Sequence, residues 1–258
     1  MTALGKQIRL KRIFSHPTGR ILSIAIDHLV NYPIGMPEGL RDLGTTIEKI
    51  IQAKPSAITM LKGTAARFMP RFAGEVPLIL QQMAIRPHSP HLADLVTVEE
   101  ALSLGADALA VAVYVKGKDD IPVYKHLADV VRDSERFGLP IITHIYPLVI
   151  EGDAPRISNA PEDIFYAVRV AAEAGVDVIK TPYTGDIASF KDIVSATPVP
   201  VVTAGGPKCE TLEEAAAMIR DVVRSGAAGS TVGRNVWGFP DVALAMDRLK
   251  TAMFSDAE

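Results

Sequence analysis

Residues 161–181 read PEDIFYAVRVAAEAGVDVIKT, and the order of signals in this stretch decides the fold. Pro161 stands at a first-turn position with Glu162 and Asp163 beside it, as at a helix N-terminus. Apolar residues then recur at helical spacing to Ala174. Gly175 follows as a helix stop, and VDVIKT at 176–181 reads as a strand. The same glycine turn introduces two further strands. Gly105-Ala106-Asp107 precedes ALAVAV (108–113), and Gly226-Ala227-Ala228 precedes GSTVG (229–233). The helices before those turns carry their own start signals. Thr97 caps VEEALSL (98–104) with Glu100 three residues on, and Thr211 caps the stretch to 225.

Five more short runs complete the pattern: ILSIAID (21–27), AITML (57–61), PLILQQ (77–82), IITHIY (141–146) and VPVVTA (199–204). They are almost continuously apolar and rich in Ile and Val, as strands covered on both faces must be. Eight such strands alternating with helices predict a (β/α)8 TIM barrel. The competing arrangement is an open doubly wound sheet. No Gly-x-Gly-x-x-Gly follows the first strand, which removes its usual dinucleotide-binding form. No linker or charge block divides the chain. Residues 1–258 therefore read as one domain, with 1–20 as a basic lead-in.

Composition narrows the function. The 258 residues are 48% apolar, and 27 Lys and Arg against 30 Asp and Glu give a net charge of −3. That balance disfavours a dedicated nucleic-acid binder. No apolar run is long enough to span a membrane, and MTALGKQIRLKRIFSH has no apolar core of a secretory signal. The single cysteine, Cys209, excludes an internal disulfide and fits a reducing cytoplasm.

In a barrel, chemistry lies at the C-terminal ends of the strands. Those ends carry Asp27-His28, Lys62, Gln81-Gln82, Tyr114 with Lys116, His144 with Tyr146, Lys180, Gly205-Gly206 and Gly233-Arg234. Lys180 is the most informative. A lysine closing an apolar strand is partly desolvated, which favours the neutral amine, and a neutral amine can form a Schiff base with a carbonyl. Taken alone, such a residue is more often a lysine that reaches solvent or pairs with a carboxylate. Asp27 ends strand one and Tyr146 ends strand five, and both can face the barrel mouth near strand six, where they supply the acid/base groups that such chemistry needs. Singly, each also fits an ordinary structural role.

TAGGPK (203–208) and VGRN (232–235) bring glycines and a cation together after strands seven and eight. Barrels often bind phosphate there, and Arg234 could contact it bidentately. Lys208 adds a second cation, and a sulfonate or carboxylate would fit the same donors. His88 and His91 lack an acidic partner cluster for a metal. Met60, Met69 and Met83 read as core filler, and Trp237 as packing beside the phosphate loop. Cys209 stands at a helix start, where a thiol pKa can fall, but no companion base marks it as a nucleophile. Asp119-Asp120 reads as a solvated loop or helix start.

IAIDH, MLKGTA, VEEALSLGADALAV, IYP, GVDVIKTPYTGD, PVVTAGGPK and GAAGSTVGRNVW occur in that order over 21–237. With them the chain resembles the archaeal-type class I fructose-bisphosphate aldolases, within a wider group that includes the deoxyribose-phosphate aldolases. The resemblance implies a metal-independent (β/α)8 enzyme with no cofactor, acting on a phosphorylated sugar and assembled as a homo-oligomer, often a decamer. It makes Lys180 the Schiff-base lysine and Tyr146 the proton-transfer group, with Asp27 as the carboxylate at the cleaved bond. Gly205, Gly206, Gly233 and Arg234 become phosphate contacts, and His144 and Lys208 complete the candidate binding set. The chain departs from the family at the mouth. Leu29 follows Asp27-His28, Leu148-Val149 follow Tyr146-Pro147, Val236-Trp237 follow Asn235, and His144 stands where an aromatic is frequent. These changes predict that fructose 1,6-bisphosphate is not the physiological substrate. Transaldolase-like transfer and thiolase-like cleavage use the same lysine. A non-catalytic binding barrel would need no such lysine, and an isomerase would need a carboxylate base, for which only Asp27 is offered.

Overall fold

The computed structural model describes residues 4–31, 35–86, 92–151 and 154–255. Its centre is a closed barrel of eight parallel strands: β1 (Ile21–Ala25), β2 (Ala57–Met60), β3 (Leu78–Gln81), β4 (Ala108–Val115), β5 (Ile141–Glu151), β6 (Val178–Thr181), β7 (Val201–Ala204) and β8 (Gly229–Val232). Each strand pairs with its neighbours in the chain, and β8 closes on β1 through Ile21↔Gly229 to Ile24↔Val232. All eight predicted strands are present, within two residues at their starts.

The helices obey the signals in the sequence. Thr97 and Thr211 both form full capping boxes, with Glu100 and Glu214. Pro161 opens its helix. Gly105, Gly175 and Gly226 take φ of 76°, 86° and 79°, a backbone state that only glycine enters freely. Asp120 precedes the helix Ile121–Phe137, and its carboxylate accepts from the N–H groups of Lys116 and Gly117. No helix among the described residues is long and apolar enough to cross a membrane.

β5 differs from its predicted end at Tyr146. It pairs with β4 as far as Val115↔Pro147 and then turns to an antiparallel partner, Ala154–Ile157, through Leu148↔Ile157 and Val149↔Arg156. Pro147 has no N–H to continue the ladder, so the strand leaves β4 there and pairs with a segment whose Ile157 lines the cavity at the strand ends. The apolar run beyond Tyr146 gave no sign of where the partner changed.

The lead-in also has structure. Helix Leu4–Ile13 lies across the barrel floor, and Ile13 packs with Ile21, Ala57, Ile79, Ala108, Ile142, Val178 and Val202. Lys6, 3% exposed, donates to Asp177 Oδ2 at 2.8 Å. The same oxygen accepts from the Ile141 N–H at 2.8 Å. Removing one partner of a buried ion pair strands the other charge, at a cost of about 3 kcal/mol or more. Lys6→Met should therefore lower the free energy of unfolding by about that amount in denaturant titration. A change below about 1 kcal/mol would mean that apolar packing alone holds the floor.

Candidate functional site

The strand ends open into a cavity of about 410 Å³. Lys180 stands on its wall at β6. Register pairs it with His144 of β5 on one side and with Val202 of β7 on the other. Asp27 and His28, immediately after β1, line the same space, as do Tyr114, Tyr146 and Arg234. The barrel brings these side chains together because each occupies an inward position near a strand end. Tyr146 and Tyr114 stand side by side with ring centres 5.8 Å apart.

Burial sets the electrostatics. Lys180 is 6% exposed. Desolvation pulls its ammonium down to about 8, partly opposed by the Asp27 carboxylate. A lysine at that value holds a useful fraction of free amine near neutrality. Desolvation also holds His28 at about 4, although Asp27 opposes it and sits 3.8 Å from Nδ1. His144 is lowered well below its ordinary value by burial, with Lys180 and His28 adding repulsion. Both imidazoles are neutral at pH 7.

The loops after β7 and β8 fold against each other. A Cβ on Gly233 would stand 2.4 Å from the His28 ring and 2.7 Å from the Ala25 carbonyl oxygen, so only glycine lets this loop approach β1. The Gly205 N–H donates to the Thr231 carbonyl, so Gly205 shapes the loop through the ladder rather than pointing a free N–H into the cavity. Arg234 Nη2 donates to the Gly206 carbonyl at 2.9 Å.

Asn235 joins the two loops, a role that its place in the VGRN stretch did not reveal. Its Nδ2 donates to the carbonyls of Gly205 (2.8 Å) and Pro207 (3.0 Å), and its Oδ1 accepts from the Cys209 N–H at 2.8 Å. Trp237 is buried and donates from Nε1 to the Ala25 carbonyl at 2.9 Å. It packs as expected and also pins the β8 loop to β1.

Several strand-end residues lie elsewhere. Lys208 does not line the cavity. Its Nζ sits 4.3 Å over the Phe239 ring, a cation–π contact that turns it away. Lys62 starts helix Lys62–Phe68 and pairs with Glu100 at 3.1 Å in an exposed position. Lys116 pairs with Asp163. Gln81 donates to the Met83 carbonyl, and Gln82 meets His126. Met60 and Met83 are fully buried, and Met69 packs against the core. Burial and Glu214 push the Cys209 thiol up, the reverse of the fall considered for a helix start. His88 and His91 lie outside the described residues. Among the described residues no group of three His, Cys, Asp or Glu side chains is placed to hold a metal.

A closed barrel with a buried, depressed lysine on β6, a carboxylate after β1 and a tyrosine on β5 around one cavity holds the groups that Schiff-base chemistry uses. The chain belongs to the DeoC/LacD family of aldolases, whose model matches residues 21–238. It is 31% identical over 248 residues to a Streptomyces griseus protein named 2-amino-4,5-dihydroxy-6-oxo-7-(phosphonooxy)heptanoate synthase, covering 95% of this chain and 88% of that one. It is 34% identical over 267 residues to a Halobacterium salinarum 2-amino-3,7-dideoxy-D-threo-hept-6-ulosonate synthase, covering 100% of this chain and 95% of the relative. Among solved structures, an archaeal fructose-1,6-bisphosphate aldolase with its catalytic lysine bound to the carbinolamine intermediate matches with a TM-score of 0.82. That match has 29% identity and covers 97% of this chain and all of the other. The protein is thus a class I aldolase, a carbon–carbon lyase.

Proposed function

We propose that this enzyme makes and breaks the carbon–carbon bond between the first and second carbons beyond the ketone of a phosphorylated ketose, through a Schiff base on Lys180. The observation that carries this reading is the position of Lys180. It is buried, depressed to about 8, and flanked by Tyr146 on one side and the glycine–arginine loops on the other. In the cleavage direction the free amine of Lys180 adds to the ketone carbon, and the carbinolamine loses water to give an iminium. Asp27 and Tyr146 take up the proton of the hydroxyl beyond the bond to be cut. That oxygen becomes the aldehyde carbonyl as the bond's electrons flow into the iminium, leaving an enamine on Lys180. Protonation at carbon and hydrolysis then release a three-carbon ketone phosphate. Gly206, Gly233 and Arg234 hold the phosphate, with Gly205 and Asn235 setting the loop. Borohydride trapping with dihydroxyacetone phosphate, read by peptide mass spectrometry, should place the reduced adduct on Lys180. An adduct on Lys62 or Lys208, or none, would overturn the assignment.

The partner aldehyde is the finer question. The product named for the Streptomyces griseus relative has its oxo group at C6 and phosphonooxy at C7, with hydroxyls at C4 and C5. Cut between C4 and C5, it gives dihydroxyacetone phosphate and a four-carbon amino aldehyde. A site of this design can therefore join the same phosphorylated ketone to an aldehyde that carries no phosphate. Two features favour that reading here. Leu148 and Val149 stand where the aldolases often have Arg-Gly, and they pair into the hairpin with Ile157 and Arg156. Ile157 then lines the cavity together with Ile85, Ala112 and Tyr114. Steady-state cleavage of a panel of ketose 1-phosphates and 1,6-bisphosphates should give kcat/KM for fructose 1,6-bisphosphate no higher than for the monophosphates. A clear preference for the bisphosphate would refute this.

A further inference from the structure

His144 is a buried polar group at the site that these steps leave unused. It is 4% exposed and lines the cavity beside Lys180. As a neutral imidazole it offers one donor and one acceptor. Because it lines the cavity, it can present that donor and acceptor to a ligand bound there.

Register says which part of a ligand that is. His144 pairs with Lys180 across β5–β6 and with Ala112 across β4–β5. Tyr146, two residues on, stands one inward position nearer the mouth. Gly206 and Arg234 lie on the opposite flank of Lys180, beyond β7 and β8. A ketone bonded to Lys180 with its phosphate arm toward those loops turns its other arm toward β5. At the level of Lys180, the first group on that arm meets His144, and the small side chain of Ala112 leaves it room.

Resting on the Schiff-base role proposed for Lys180, we infer that His144 hydrogen-bonds the hydroxyl on the carbon next to the Schiff-base carbon, away from the phosphate. It thereby selects α-hydroxy ketones as donors. Two probes separate this from a packing role. Dihydroxyacetone phosphate carries that hydroxyl, and hydroxyacetone phosphate lacks it while keeping the ketone and the phosphate. In the wild type, half-saturation of borohydride trapping on Lys180 should need roughly tenfold less dihydroxyacetone phosphate than hydroxyacetone phosphate, the scale of one buried hydrogen bond. In His144→Phe the ratio should fall toward one, and His144→Asn, which keeps a donor and an acceptor, should restore part of it. A ratio unchanged in both variants would overturn the inference, whatever happens to the absolute rates. If His144→Phe does not fold, His144→Asn and His144→Ala give the same comparison. A wild type that traps neither ketone on Lys180 would overturn the Schiff-base assignment and this inference with it. Trapping of both with equal half-saturation would overturn the inference alone.

Discussion

Lys180→Met should abolish both turnover and borohydride trapping, with kcat/KM falling on the order of 10⁴-fold or more, as when a covalent nucleophile is removed. The variant keeps the length and apolar stem of the side chain and removes only the amine. It should fold, because it exchanges a buried amine for a thioether in an apolar wall and relieves desolvation. A melting temperature equal to or above that of the wild type would check this. The pH dependence follows from the same burial. Lys180 titrates at about 8, and only the neutral amine attacks a carbonyl. Below that value the free-amine fraction falls about tenfold per pH unit. The rate of Schiff-base formation with dihydroxyacetone phosphate, quenched with borohydride at intervals, should therefore climb from pH 6 to about pH 8 and then level. Asp27 is the charge that holds the ammonium up, so Asp27→Asn should move this rising limb to lower pH. A limb near the ordinary lysine value, or trapping that survives in Lys180→Met, would remove Lys180 from the chemistry.

The barrel was legible because its strands are buried on both faces and its turns use residues with few alternatives. ALAVAV cannot lie on a wet surface, and Gly105, Gly175 and Gly226 each adopt the positive φ that their places at helix ends imply. What remained hidden depends on contacts between distant segments. Pro147 ends the pairing of β5 with β4, but only the antiparallel partner at Ala154–Ile157 shows where the strand goes next. Lys208 follows the glycines in sequence and was grouped with them, yet Phe239, thirty-one positions on, captures its ammonium. Asn235 was visible as a letter in VGRN. Its work is to satisfy two carbonyls and one N–H of the facing loop, which no local pattern encodes. The thiol of Cys209 illustrates the same limit, since its place near a helix start counted for less than its burial and the charge of Glu214. That Lys180, Asp27 and Tyr146 line one cavity was legible because strand ends in a barrel converge by construction. Their convergence on one cavity is a property of the closed sheet, and the sequence order of those ends carries it.

Tyr146→Phe should separate proton transfer from covalent capture. Tyr146 lies one inward position beyond His144 on β5, above Lys180 toward the mouth. In the proposed mechanism its hydroxyl meets the part of a ketose beyond the Schiff-base carbon, where the proton leaves as the bond breaks. Loss of a positioned acid/base costs about 10²–10⁴-fold in kcat, so cleavage in Tyr146→Phe should slow by that factor with a much smaller change in KM. The ring itself is kept, including its contact with Tyr114 at 5.8 Å, so the cavity wall should stay in place. Capture of dihydroxyacetone phosphate on Lys180 needs no cut in a carbon–carbon bond, and it should fall far less than turnover. The ratio of the two losses is the informative quantity. If trapping and cleavage decline by the same factor, Tyr146 acts by shaping the site around Lys180, and the proton then passes through Asp27, the other group that the proposed mechanism sets at the cleaved bond. If cleavage alone declines, the tyrosine hydroxyl handles the proton, and Asp27 serves chiefly to hold charge near the amine.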